Sequence, residues 1–372
     1  MPRLFEPLAL RGLAVPNRIV VSPMCQYSAV DGNATAWHVA HLGGLALGGA
    51  GLLCVEATAV APEGRITPGC LGLWCDENEA ALASVLRVVR QASPIRLALQ
   101  LAHAGRKASS AVPWRGGQLI APGEGGWVPE APSAVPHRPE EPPPRAMTAG
   151  DLARVKQAFV DAASRAVALG FDAVELHAAH GYLLHEFLSP VANHRTDEYG
   201  GALENRLRYP LEVFRAMRAA VPERIPVGVR VSATDWLNGE PSWTLEQTVA
   251  LARALEASGA DWIDVSSGGI SPRQEITAGP GYQVPLAEAI KRATRVPTIA
   301  VGMISDPQHA DQIVAGGSAD LVALGRAMLY DPRWVWRAAE RLGHPIEGPP
   351  QYWRMLPAGK NKVFASGAVA MR

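Results

Sequence analysis

The chain has 372 residues, 48% apolar and 19% charged, with 35 Lys and Arg balanced by 35 Asp and Glu. This composition excludes a disordered chain, and the zero formal charge excludes a nucleic-acid or anionic-membrane partner held by bulk electrostatics. Four cysteines (Cys25, Cys54, Cys70, Cys75) are too few for a disulfide scaffold of this size. The opening residues Met1 to Pro7 lack the apolar core of a secretory signal. The longest apolar stretch, Leu42 to Ala61, carries Glu56 and five glycines and reads as a helix end followed by a strand. A soluble, cytoplasmic protein is expected.

Eight short runs rich in apolar and β-branched residues follow in order: Ile19-Met24, Leu52-Ala57, Ile95-Leu101, Ala173-Ala178, Val227-Ser232, Trp262-Ser266, Thr298-Val301 and Leu321-Leu324. Most are continuous apolar runs, the pattern of parallel strands covered on both faces. Helical spacing fills the intervals. Thr148 to Asp151 opens a long helix to about Leu169, Thr244 to Gln247 fits a capping box, and Asp306-Pro307 starts another helix with proline at its favoured first position. Eight strand-helix repeats predict an α/β fold of the (β/α)₈ TIM-barrel type, in preference to a doubly wound sheet.

Two segments interrupt the repeat. Residues 102–147, after the third strand, hold nine prolines. They are too long for an ordinary βα loop and are expected to form a lid or excursion at the C-terminal face. Residues 343–372 have little periodicity and form a C-terminal tail. One barrel domain over residues 1–342 is therefore expected, with the tail packing on it or crossing to a partner.

Residues at strand C-termini carry the chemistry of such a barrel. The fourth strand ends in His177, followed by His180 and Tyr182. Two imidazoles can hydrogen-bond one carbonyl oxygen and a tyrosine can deliver a proton. A metal is the rival reading, but no third ligand has motif spacing. Arg230, within the fifth strand, needs an anionic partner: an ion pair in the barrel or a ligand with delocalised negative charge. Gln100 ends the third strand. Gly302, Gly325 and Arg326 follow the last two strands, where phosphate sites of this fold lie. Ser22-Pro23-Met24-Cys25-Gln26-Tyr27 follows the first strand. Cys25 is either a small hydrophobe or a thiol nucleophile, and Cys54, inside a strand, is read as a hydrophobe.

Taken in order, Ser22 to Cys25, Gln100, His177-Ala-Ala-His180-Gly-Tyr182, Arg230 and Gly325-Arg326 resemble the Old Yellow Enzyme family, in its bacterial thermophilic-like or xenobiotic-reductase branch of ene-reductases. His185 to Pro190, Asn193 to Gly201 and Glu204 to Arg206 support the likeness, which runs from Leu4 to Leu329. The resemblance implies FMN at the barrel mouth, reduced by NADPH or NADH in ping-pong order, and no bound metal. Gly302, Gly325 and Arg326 would hold the phosphate, and Gln100 and Arg230 would face the pyrimidine edge. Ser22, Pro23, Met24 and Ala57 would line the ring system, with Cys25 near N5. His177 and His180 would bind a carbonyl or nitro oxygen of an enone, maleimide or nitro compound, and Tyr27 would position it. Hydride would pass from flavin N5 to the β-carbon, and Tyr182 would protonate the α-carbon. A homodimer or homotetramer is expected, and Trp334, Trp336, Arg337, Tyr352 and Trp353 are the tail-region candidates for a partner's site. No G-x-G-x-x-G follows a strand, which agrees with nicotinamide stacking on flavin. Rival readings are another FMN barrel dehydrogenase, a flavin-free phosphate-binding lyase or isomerase, and a non-catalytic barrel.

Overall fold

The computed structural model of the chain describes residues 2–355. The eight runs become β1 (Ile19–Val21), β2 (Leu52–Ala59), β3 (Arg96–Ala102), β4 (Ala173–Ala178), β5 (Val227–Ser232), β6 (Ile263–Ser266), β7 (Thr298–Ala300) and β8 (Leu321–Leu324). They close into a parallel barrel in chain order, with β8 paired to β1 through Val322 and Ile19. The ring of helices begins with α1 (Ala36–Ala46), α2 (Asp76–Ala92), α3 (Ala149–Ala168), α4 (Leu183–Leu188) and α5 (Leu203–Ala220). It continues with α6 (Leu245–Ala257), α7 (Val284–Ala293), α8 (Pro307–Ala315), α9 (Arg326–Tyr330) and α10 (Trp334–Leu342). The expected TIM barrel is present. Among the described residues no helix is long and apolar enough to cross a membrane.

Boundaries differ for local reasons. β1 stops at Val21 because Pro23 has no N–H to donate, although Ser22 N still donates to Leu324 O at 3.1 Å. β2 runs on to Ala59 after a register shift between Val55 and Thr58. Thr148 and Asp151 form the full reciprocal cap of α3. The Thr244 box is half made: its side chain accepts from Gln247 N, whereas Gln247 Oε1 has no partner. The first turn of α6 is instead tied down by Thr248, whose hydroxyl donates to Ala233 O at 2.9 Å.

A hairpin absent from the sequence reading precedes the barrel. Leu8–Leu10 pairs antiparallel with Leu13–Val15 around Arg11 and Gly12. Arg11 takes φ 50°, a conformation the sequence does not advertise. Leu10, Leu13 and Val15 pack against Val20, Leu52, Ala98, Ala173, Ile299 and Leu321, the inward residues at the starts of the strands. The hairpin therefore plugs the N-terminal end of the barrel and leaves the opposite end as the mouth.

The excursion after β3 carries three short 3-10 turns and a two-residue parallel ladder, Glu130–Ala131 with Arg145–Ala146. Arg145 and Arg154 converge on Glu130 and Asp151, tying the ladder to α3. At the other end Trp334 and Trp336 are buried in the chain's own core. Packing here takes both out of the set of residues available to a neighbour's site. Arg337 pairs with Asp331, and Trp353 Nε1 donates to Gly348 O at 3.0 Å. Tyr352 packs on Trp336 with ring centroids 5.8 Å apart. Residues 356–372, most of the expected tail, lie outside the described residues.

Leu10 is 1% exposed within the plug. Leu10→Ala is expected to cost about 2–5 kcal/mol by leaving a cavity at the barrel floor. Urea unfolding followed by far-ultraviolet circular dichroism measures this, and a change under about 0.5 kcal/mol would show that the hairpin carries no core load.

Candidate active site

Alternation along each strand sends every second side chain into the barrel. The lowest inward layer is apolar. The next is polar: Gln100 from β3, Glu175 from β4, Arg230 from β5 and Asp264 from β6, all buried. Register places Gln100 beside Glu175, and Arg230 between His177 and Asp264. Glu175 accepts from Gln100 Nε2 and from Trp262 Nε1, each at 2.8 Å. Arg230 Nε lies 3.3 Å from Asp264 Oδ2 without hydrogen-bond alignment. Burial holds Asp264 above the ordinary carboxylate range against the pull of Arg230, with Glu175 adding to the rise. Burial likewise raises Glu175, opposed first by Arg230.

The topmost inward residue of β4 is His177. Its Nδ1 accepts from Ala179 N at 3.2 Å, so its proton sits on Nε2. Nε2 faces His180 Nδ1 at 3.3 Å, and His180 Nε2 is 2.7 Å from Ser266 Oγ at the end of β6. Burial, reinforced by Arg230, pushes both imidazoles well below the usual histidine range, so both are neutral. An oxygen seated between Nε2 of His177 and Nδ1 of His180 meets two donors only if His180 carries its proton on Nδ1. Nε2 must then accept, and the Ser266 hydroxyl can donate to it. A hydroxyl serves either tautomer.

His180 adopts φ 60° and is held there from several sides. Ser232 Oγ accepts from His180 N at 2.9 Å, and Lys107 Nζ donates to His180 O at 2.8 Å. His185 Nδ1 accepts from Gly181 N at 2.9 Å, and its Nε2 faces Asp235 Oδ1 at 2.9 Å. A side chain at Gly181 would collide with Gly269 O, and one at Gly269 would collide with His180. Both positions need glycine for this close approach. Tyr182 then enters α4 with its ring edge-on to His177, centroids 5.1 Å apart. Its hydroxyl is raised by burial and then by Cys25 and Tyr27, which face the same space.

Ser22 is buried, and Pro23 to Tyr27 form a half-buried segment at the mouth. Glu56 supports it: Oε2 accepts from Gln26 N at 2.9 Å, and Oε1 lies 3.4 Å from buried His38. Ala57 is buried next to Glu56. Burial, then Cys70 and Glu56, raise the Cys25 thiol well above its usual range. It is a protonated thiol, unlike the activated nucleophile considered above, and all four cysteines are free. Tyr27 takes φ 52° and meets Trp114 of the excursion edge-on at 5.8 Å.

Across the barrel, Gly302 takes φ 117° and Gly325 stands open beside Met24. Arg326 lies exposed on the rim. Among the described residues none hydrogen-bonds the Arg230 guanidinium, and none donates to Gln100 Oε1. A buried cation and an amide oxygen with capacity to spare at the foot of this cradle suit a planar group with its own acceptors and an N–H, carrying a phosphate, as FMN does. The structure thus brings the sequence-selected residues of β1, β3, β4, β5, β7 and β8 to one mouth. Sequence reasoning missed Glu56, Lys107, Glu175, Ser232, Asp264 and Ser266. Strand parity was the available signal for most of them, since Glu175 lies two before His177 and Ser232 two after Arg230.

A plugged (β/α)₈ barrel whose mouth gathers two facing neutral imidazoles, a buried guanidinium and glycines after β7 and β8 fits a cofactor-dependent enzyme of the flavin-barrel class. Residues 3–344 match the model of the NADH:flavin oxidoreductase / NADH oxidase family, and the chain belongs to it, in the Old Yellow Enzyme group. It is an NAD(P)H-dependent flavin oxidoreductase with FMN as cofactor. It is 45% identical to an NADH:flavin oxidoreductase of Gibberella zeae over 96% of this chain and 91% of that one. It is 44% identical to an NADPH dehydrogenase of Geobacillus thermodenitrificans over 94% and 98%. Among solved structures, morphinone reductase superposes with TM-score 0.74 at 30% identity, covering 94% of this chain and 93% of that one. A 2-naphthoyl-CoA reductase superposes with TM-score 0.81 at 26% identity, and the chain spans 92% of its own length but about half (52%) of that protein.

The buried carboxyl of Asp264 binds its proton more tightly in the folded chain than in the unfolded one. Its contribution to stability is complete below the unfolded value, about 4, and is lost as pH rises through the higher folded value. Asp264→Asn is expected to flatten the fall in stability between about pH 4 and neutrality, read as Tm against pH on the FMN-loaded protein. An unchanged slope would mean that Asp264 is ionised throughout.

Proposed function

We propose that the enzyme reduces activated C=C bonds of enones, maleimides and related compounds, including nitro compounds, using NAD(P)H. The observation that carries this reading is the convergence of His177 Nε2 and His180 Nδ1, 3.3 Å apart, beside Tyr182. FMN, when bound, would supply the two-electron chemistry that links NAD(P)H to the alkene. Gly302, Gly325 and Arg326 would hold its phosphate, and Gln100 and Arg230 its pyrimidine edge. Ser22, Pro23, Met24 and Ala57 would line the ring system, with Cys25 as a neutral thiol against it.

The two imidazoles take the carbonyl or nitro oxygen of the substrate. Their bonds strengthen as negative charge gathers on that oxygen, so they favour the transition state over the ground state. Both are neutral in the free site, and the Ser266 hydroxyl lets His180 present Nδ1–H. Tyr182 holds the proton destined for the α-carbon, and Tyr27, backed by Trp114, limits how the substrate tilts. An FMN dehydrogenase acting on hydroxy acids would have no use for two donors and a tyrosine so disposed.

His177→Ala with His180→Ala is expected to abolish phenol binding and enone reduction while FMN stays bound, judged by the long-wavelength absorbance of the phenol complex. Normal enone turnover in that variant would remove the oxygen-binding assignment. Ser266→Ala is expected to weaken phenol binding by about 1 kcal/mol, roughly fivefold, because His180 loses the donor that holds its tautomer. Unchanged affinity would show that Nε2 of His180 needs no partner.

A further inference from the structure

Lys107 is a lysine the reaction above does not use, and its surroundings are unusual. It sits in the first turn of the excursion, just past β3. Its Nζ donates to two carbonyl oxygens from different loops, His180 O at 2.8 Å and Gly269 O at 3.2 Å. Among the described residues no carboxylate lies within ion-pair distance of it. The ammonium rests instead over the ring of Tyr182, 4.9 Å from the centroid. Two carbonyl bonds fix a flexible four-carbon chain so that its charge cannot leave that ring face.

We propose that Lys107 is a positioning residue for proton delivery, its ammonium stabilising the negative charge that Tyr182 acquires as it gives up its hydroxyl proton. The inference rests on the reading of Tyr182 as the donor. In the step, the Tyr182 O–H bond breaks as a C–H bond forms at the α-carbon of the enolate, and the phenolate later takes a proton from water. A cation over a neutral phenol ring gains a quadrupole attraction. Over a phenolate the same cation meets a delocalised full charge, so its attraction grows as the proton leaves. Burial opposes that departure by raising Tyr182. Lys107 offsets this at the one moment when it matters.

The charged groups facing Lys107 are few. Glu186 of α4 is fully buried, which raises its own carboxyl to about 8, and it favours the ammonium only when ionised, while Arg106 beside it and Arg138 of the excursion oppose it. His137, His177 and His180 are all driven neutral by burial. Burial brings Lys107 down to about 8. Proton delivery should therefore weaken as pH rises through about 8, where the ammonium loses its charge.

The test uses the FMN-loaded enzyme, pre-reduced with NADPH and mixed with 2-cyclohexenone without oxygen. Lys107→Met is expected to slow reoxidation by about tenfold at pH 7, and Lys107→Arg, which keeps a cation, by far less. In a Tyr182→Phe background Lys107→Met should add nothing. Equal slowing in both backgrounds would mean that Lys107 serves only the His180 turn, and would overturn the proposal. If Tyr182→Phe is slow but Lys107→Met is not, the Lys107 proposal alone falls. If Tyr182→Phe reoxidises at the wild-type rate, the donor assignment falls and this proposal with it. Should Lys107→Met fail to fold, the wild-type enzyme still answers, because reoxidation without an alkaline fall near pH 8 would count against Lys107.

Discussion

Everything at the mouth depends on a polar layer in the middle of an otherwise apolar barrel. Arg230, Glu175, Asp264 and Gln100 occupy inward positions that strand parity makes unavoidable, above a floor of aliphatic side chains. A guanidinium in that place is tolerable only with carboxyls near it, and those carboxyls resist ionising because water is excluded. The layer thus shares fewer negative charges than its composition suggests. It presents the upper layer with a cation whose hydrogen-bonding capacity is unspent, and that cation adds to the burial that keeps both histidines neutral.

The upper layer shows how a strained turn is held for chemistry. His180 has a backbone conformation that a non-glycine residue rarely adopts, and it is gripped by residues from the excursion after β3, from β5, from β6 and the loop that follows it, and from α4. No one contact accounts for it. Four chain segments must be in place before the two imidazole nitrogens face each other at 3.3 Å. That dependence explains why the supporting residues, Ser232, Lys107 and His185, sit so far apart in sequence while acting on a three-residue stretch.

Much of this was readable beforehand. Eight apolar runs at barrel spacing, with His, Arg and Gln at their ends, were enough for the fold and for most of the mouth, because strand ends are where this architecture concentrates function. What escaped notice did so for physical reasons. Glu175, Asp264 and Ser266 look like ordinary polar interruptions until parity is followed through each strand. Lys107 lies in a proline-rich insertion whose path cannot be read from local pattern, so its approach to Tyr182 is purely tertiary. The hairpin escaped because its strands are three residues long and Arg11 is an uncommon residue for a positive φ. The half-made cap at Thr244 shows the converse, a local motif that the tertiary structure only partly uses.

The same hairpin has a bearing on how the molecule comes to exist at all. Residues near the start of the chain fill a space whose walls include Leu321 and Ala323, and β1 closes the ring against β8. The floor and the seam of the barrel are therefore contacts between the first twenty or so residues and the last strand. During synthesis the early strands must wait, exposed and unpaired along one edge, until nearly the whole chain has emerged. A nascent chain lacking β8 would have neither a sealed floor nor a closed ring, however well its first seven repeats had formed.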